Sequence, residues 1–190
     1  MSRFFSQCIT LGMLVVSLLA GCAITSDTPI HQFSFDAGIE SPEVEVLDYR
    51  YGNSRLPTAS NPDDLRAEGR SLQGTSIQGP MLRGEFLYVK WRVKATGRVY
   101  EDRVDLLHRL PTDLTDYEIH FVINGPQLYV YLISPERVTG HCPYSTFEES
   151  TRAIKKVDSH DMVLFANCDR KISLIYPDRE ILNNHAGAIE

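Results

Sequence analysis

The sequence predicts a mainly β protein: an antiparallel sheet or small β-sandwich built from hairpins, with one or two short helices in long loops. Three observations carry this. Phe86 to Val93 alternates its apolar and polar side chains with a period of two, as a half-buried strand requires. A second alternating run, Tyr117 to Ile123, ends at Asn124-Gly125, the strongest short hairpin signal. Before both runs lies a polar stretch, residues 53–80, interrupted by Pro57, Pro62, Gly69, Gly74, Gly79 and Pro80.

Residues 1–21 stand outside the fold. Arg3 precedes an apolar run from Ile9 to Ala20. That run is about half the ~20 residues of a spanning helix, and its small residues before a cut mark a secretory signal. Leu19-Ala20-Gly21-Cys22 resembles the lipobox of bacterial lipoproteins. The resemblance implies cleavage before Cys22, lipid on its thiol and an acyl group on the new amine. Several acyl chains hold a protein stably on a lipid bilayer, whereas one is marginal. In such lipoproteins an Asp after the cysteine marks retention at the inner membrane. Ala23 stands there instead, which implies the outer membrane, facing the periplasm. Residues 22–32 are expected to form the lipidated end and a tether, with a reach of about 33 Å for residues 23–32. Residues 33–190 are expected to fold as a single β-rich domain.

Val44 to Tyr51 reads as a strand ending at Gly52-Asn53. Asn61-Pro62-Asp63-Asp64 reads as a helix start, with an N-cap and then proline at the first helical position. The helix should run to about Glu68 and stop at Gly69. The rest of 53–80 is expected to be an exposed loop.

The first hairpin runs from Phe86 to Leu107. Leu87, Val89, Trp91 and Val93 share one face, with Trp91 toward the core. A two-residue turn at Thr96-Gly97 would pair Val93 with Tyr100, Val89 with Val104, Leu87 with Leu106 and Arg92 with Glu101. In the second hairpin, a turn at Asn124-Gly125 would pair Phe121 with Leu128, Ile119 with Val130 and Tyr117 with Leu132. Pro126 lacks a ladder donor and is expected at a non-bonded or edge position. His120, Tyr129 and Tyr131 fall on the opposite face, and His120 is expected to be buried or stacked rather than catalytic.

In the last third, Ser145-Thr146-Phe147-Glu148 has capping-box spacing, which predicts a helix from Thr146 to about Lys156. Met162 to Ala166 and Ile172 to Tyr176 read as strands. Cys8 falls in the signal and Cys22 takes lipid, which leaves Cys142 and Cys168 as a pair in an oxidising compartment. A disulfide is the expected outcome. A metal site using His141 and His160 is the other reading, but the spacing matches no standard zinc pattern.

The full chain has a net charge of −6. Loss of residues 1–21 removes only Arg3, so the mature chain stands near −7. This argues against nucleic acid, whose binders carry a basic face. Gly74-Thr75-Ser76-Ile77-Gln78-Gly79 is not a nucleophile elbow, because the second glycine comes one residue late. No zinc-protease, phosphate-loop or dinucleotide motif is present, so no cofactor, metal or catalytic residue is assigned and the chain is not read as an enzyme. Lys90, Arg92 and Lys94 form a basic row that Glu101 and Asp105 should partly neutralise.

Gly79-Pro80-Met81, Gly84 to Arg92, Gly125 to Leu132 and Ile175-Tyr176-Pro177-Asp178 resemble segments of a group of small, uncharacterised proteobacterial lipoproteins. That group is associated with type VI secretion clusters encoding lipase effectors. The resemblance covers most of residues 33–135 and the last strand; residues 140–169 read as a local insertion. It implies an immunity protein that binds and occludes a secreted antibacterial lipase. The alternative is a structural or assembly lipoprotein of the cell envelope. For a protein partner, the expected contacts are the stretches 53–80 and 135–160, with Arg55, Arg70, Tyr144 and Phe147 as anchors of the type that dominate binding energy.

Overall fold

The computed structural model describes residues 28–58, 60–139 and 159–178. Its elements are β1 (Ile30–Asp36), α1 (Ala37–Glu40), β2 (Val44–Tyr51), α2 (Pro62–Ala67), β3 (Gly74–Pro80), β4 (Phe86–Val93), β5 (Val99–Asp105), β6 (Glu118–Asn124), β7 (Gln127–Arg137), α3 (Ser159–Ala166) and β8 (Arg170–Tyr176). The protein is mainly β, as its sequence predicts. One sheet has the order β3-β1-β6-β7-β8 and the other β2-β4-β5. All described pairings are antiparallel except β1 with β6.

The two sheets share a core. Phe33 and Phe35 of β1, Val46, Tyr49 and Tyr51 of β2, Leu87, Val89 and Trp91 of β4, and Phe121 and Val130 belong to one buried cluster. Phe33 stacks on Tyr51 with ring centres 5.0 Å apart, and the Phe35 ring meets Tyr49 edge-on at 4.9 Å. Strand β6 is buried along both faces. Its outer face joins a second cluster of Val122, Tyr131, Ile133 and Val163, the last from α3.

Both predicted hairpins exist with the predicted faces inward, but each register is displaced by two residues. Leu87 pairs with Val104, Val89 with Asp102, Lys90 with Glu101 and Trp91 with Tyr100. The turn is a four-residue loop, because Val93 N–H donates to Arg98 O at 2.9 Å and Gly97 takes φ +68°. In the second hairpin Ile123 pairs with Leu128 and Asn124 with Gln127. The central turn residues are therefore Gly125 and Pro126, with Gly125 at φ +55°. Proline thus sits outside the ladder, in the turn itself. A displacement of two keeps every side chain on its face.

Four expectations are corrected. The tether does not extend to residue 32: β1 begins at Ile30, and His31 is fully buried. The 53–80 stretch is not loop to its end, since Gly74–Pro80 forms edge strand β3 against β1. The segment that misses the nucleophile-elbow pattern is this strand. Met162–Ala166 belongs to helix α3, not to a strand. Asn61 precedes α2 as expected, but its side chain makes no cap hydrogen bond. The expected helix from Thr146 to Lys156 lies outside the described residues.

Candidate functional site

The excursion between β2 and β3 carries the most distinctive surface. At its start the chain turns through Gly52 at φ +67°, where a Cβ would come within 2.9 Å of the Gly84 backbone. Asn61 then braces the loop from within. Its Oδ1 accepts from Leu56 N–H at 2.8 Å, and its Nδ2 donates to Leu56 O at 3.1 Å and to Asp64 at 3.2 Å. Tyr49 reaches out of the core and donates its hydroxyl to Ser60 O at 2.7 Å. Burial pushes that phenol up to about 12. The loop is therefore held by a side-chain amide and a buried tyrosine, which compensates for its lack of ladder bonds.

Between this loop, the end of β2 and Phe86 lies an open cleft of about 190 Å³, lined in part by Asp48, Arg50, Asn53, Arg55 and Asp63. Arg55 donates to both carboxylate oxygens of Asp64 at 2.6 Å. That hydrogen bond, with a further one from Asn61, holds the Asp64 carboxyl below its ordinary value. Arg70 follows α2, with its N–H on Leu65 O at 2.8 Å and its guanidinium on Glu68 at 3.1 Å. The fold thus brings Arg55 and Arg70 to the same excursion, one tied to each end of α2. Tyr144, Phe147, Cys22 and Cys142 lie outside the described residues, as do His141 and most of the 135–160 stretch. Cys168 is disulfide-bonded.

A second assembly was not apparent from sequence spacing. On the outer face of the five-stranded sheet, Ser34, Glu118 and His120 are buried. Ser34 Oγ stands 2.6 Å from Glu118 Oε1 and 2.7 Å from His120 Nδ1. His120 Nε2 lies 3.0 Å from both oxygens of Glu40 in α1. Gln32 donates to Glu118 at 3.2 Å, and Arg170 of β8 donates to its other oxygen at 3.1 Å. An ionised carboxylate can only accept. His120 Nε2 therefore donates to Glu40, and Ser34 gives its hydrogen to Glu118. Through these contacts Ser34, His120 and the two carboxylates form a clasp joining β1, α1, β6 and β8.

A third polar group sits in the core. His31 Nδ1 lies 3.2 Å from Pro29 O, which can only accept, so Nδ1 carries the hydrogen and Nε2 accepts from Tyr51 Oη at 3.0 Å. Desolvation lowers the His31 pKa below its ordinary value.

The basic row on and just after β4 is neutralised at Lys90 and Arg92, by partners partly different from those expected, while Lys94 meets a backbone carbonyl. Lys90 lies 3.5 Å from Glu101, Arg92 2.9 Å from Glu45, and Lys94 Nζ donates to Pro42 O at 2.7 Å. Asp105 instead holds His108 at 2.7 Å. Among the described residues no group of three or more His, Cys, Asp or Glu is arranged to hold a metal ion, and no helix is long and apolar enough to cross a membrane. No family model, curated protein or solved structure matches this chain.

Proposed function

We propose that the chain is a lipid-anchored, protein-binding module of the bacterial envelope, and that the excursion between β2 and β3 is its contact surface. The observation that carries this reading is the braced loop itself. Asn61, Tyr49 and the Arg55–Asp64 pair fix an exposed segment over an open cleft. A pre-formed loop on a rigid sheet binds with less ordering cost than a mobile one. The finer version is an immunity protein that covers the active-site mouth of a secreted lipase. It draws on the sequence resemblance and on the exposed residues 53–55 at the rim of the cleft.

The test uses the full-length chain in its bacterial host, with a photo-crosslinking amino acid at Ser54. A discrete protein adduct in the membrane fraction is the expected result, lost when residues 55–61 are replaced by a Gly/Ser linker that keeps the crosslinking residue at position 54. No adduct, or an adduct indifferent to that replacement, rejects the contact surface. Adducts only to fixed envelope complexes favour the structural-lipoprotein alternative. Cys22→Ser separately tests the anchor: it should abolish incorporation of labelled palmitate, and normal labelling would reject the lipobox reading.

A further inference from the structure

The three-stranded sheet turns one face outward, and its cross-strand rows there are Glu45–Arg92, Asp48–Lys90–Glu101 and Arg50–Tyr88–Arg103. Charges in the first two rows are matched. Arg92 pairs with Glu45, Lys90 with Glu101, and Asp48 with Arg66 at 3.1 Å. The third row differs. Arg50 and Arg103 are both exposed, and neither has a carboxylate within 4 Å among the described residues. Tyr88 stands between them with its hydroxyl on Glu101 at 3.0 Å. Arg103 lies over the Phe86 ring, 3.2 Å from its centre. Phe86 and Arg50 also line the cleft, so row and cleft form one continuous surface.

We infer that this row receives an acidic segment of a protein partner, with Arg50 and Arg103 each taking a carboxylate. The inference rests on the protein-binding reading and adds the chemistry of the contact. Three arguments support it. Guanidinium forks match carboxylates in bidentate geometry. Arg and Tyr are the side chains that concentrate binding energy in interfaces, and Tyr88 supplies an aromatic surface between the two cations. The neighbouring row exposes Glu101 beside Tyr88. That carboxylate is already matched by Lys90, so the unmatched cations are confined to one row, which suits a narrow acidic segment laid along it rather than the continuous anionic surface of a bilayer. Adjacent strands are about 4.8 Å apart, so the two arginine backbones stand about 10 Å from each other. That separation suits two carboxylates on one extended segment.

The probe is a fluorescein-labelled hexaglutamate peptide, titrated with the full-length lipidated protein in neutral detergent and followed by anisotropy. Binding should weaken at least tenfold in the Arg50→Gln/Arg103→Gln variant. It should change less than twofold in Lys90→Gln/Arg92→Gln, which loses the same charge from paired positions. No hexaglutamate binding overturns the inference, as does equal loss in both variants. Competition by inorganic phosphate but not by free glutamate peptide would identify a phosphate site and also overturn it. So would preferential binding to phosphatidylglycerol vesicles. The Ser54 crosslink separates the two levels. An adduct with unchanged yield in Arg50→Gln/Arg103→Gln leaves the protein-binding reading standing and rejects the acidic contact. Absence of any adduct rejects the reading beneath it.

Discussion

Trp91 donates its indole N–H to the carbonyl of Gly125, 2.9 Å away. One residue is the largest buried side chain of the three-stranded sheet, and the other is the first central residue of the turn joining β6 to β7. A single hydrogen bond therefore fastens the tip of one sheet's hairpin to the middle of the other sheet. The indole also stacks on Tyr100 at 5.9 Å.

Replacing this anchor separates packing from hydrogen bonding. Trp91→Ala should cost about 3–5 kcal/mol of stability in urea denaturation. Trp91→Phe retains much of the volume but leaves the Gly125 carbonyl without its donor, for about 1–3 kcal/mol. Emission of the native protein should be blue-shifted and poorly quenched by iodide, since Trp91 is 1% exposed and is the chain's single tryptophan.

Gly84 is constrained by contact. A Cβ there would lie 2.5 Å and 2.7 Å from two ring carbons of Tyr51. Tyr51 cannot yield freely, because it stacks on Phe33 and holds His31. Gly84→Ala should destabilise by about 1–3 kcal/mol through overpacking. Gly79→Ala, where a Cβ meets nothing within 4 Å, should cost less under the same denaturation assay.

The buried His31 makes stability depend on pH. Its folded-state pKa is lowered from the ordinary 6.5 by desolvation. Between the folded value and 6.5 the unfolded chain binds the extra proton, so stability falls as pH drops through that window and is fully present above it. The urea midpoint should decline from pH 7.5 toward pH 5, and His31→Gln should flatten this slope. Asp64, Asp105 and Asp178 are also lowered, from 3.8. Their contributions are lost only at more acid pH and should survive the substitution.

Ser34 joins Glu118 to His120 in the clasp. Ser34→Ala leaves His120 Nδ1 without its partner and Glu118 Oε1 with Gln32 alone, and should cost about 1–3 kcal/mol. Loss of protection from amide exchange should appear on β1 and α1, the two elements that the clasp joins to β6. A neutral substitution with unchanged exchange would show the contacts to be energetically idle.

Asn61 bears on the excursion alone. Asn61→Ala removes both hydrogen bonds to Leu56. It should speed amide exchange at Leu56 by at least tenfold while lowering global stability by only about 1–2 kcal/mol. Equal change across the whole domain would mean the loop and the sandwich open together.

The faces of both hairpins were legible because a period of two survives any even displacement. The registers were not, because turn chemistry set them. Gly97 takes the left-handed position at the end of a four-residue loop, and Gly125 rather than Asn124 opens the second turn. Strand β3 was hidden by composition: of Gly74–Pro80, Ile77 alone is buried, and pairing with β1 supplies what propensity does not. Met162–Ala166 is an apolar run too short to tell helix from strand. The 53–80 stretch pointed to Arg55 and the cleft. Arg50 and Arg103 did not stand out, because their lack of a carboxylate partner among the described residues emerges only once three strands are aligned. The clasp was equally hidden, since Gln32 and Glu118 are 86 residues apart in the chain.

That separation has a consequence in time. Strand β1 is the first strand of the described residues, yet it lies between β3 and β6 and is completed only by residues 118–120. During synthesis most of the domain must emerge before both edges of β1 are satisfied. Until then Phe33 and Phe35 have an open strand edge beside them, the kind of surface that pairs with the wrong chain. Closing so long a loop also makes the parallel β1–β6 pairing intrinsically slow. Strand β1 is thus the part of the nascent domain most in need of protection.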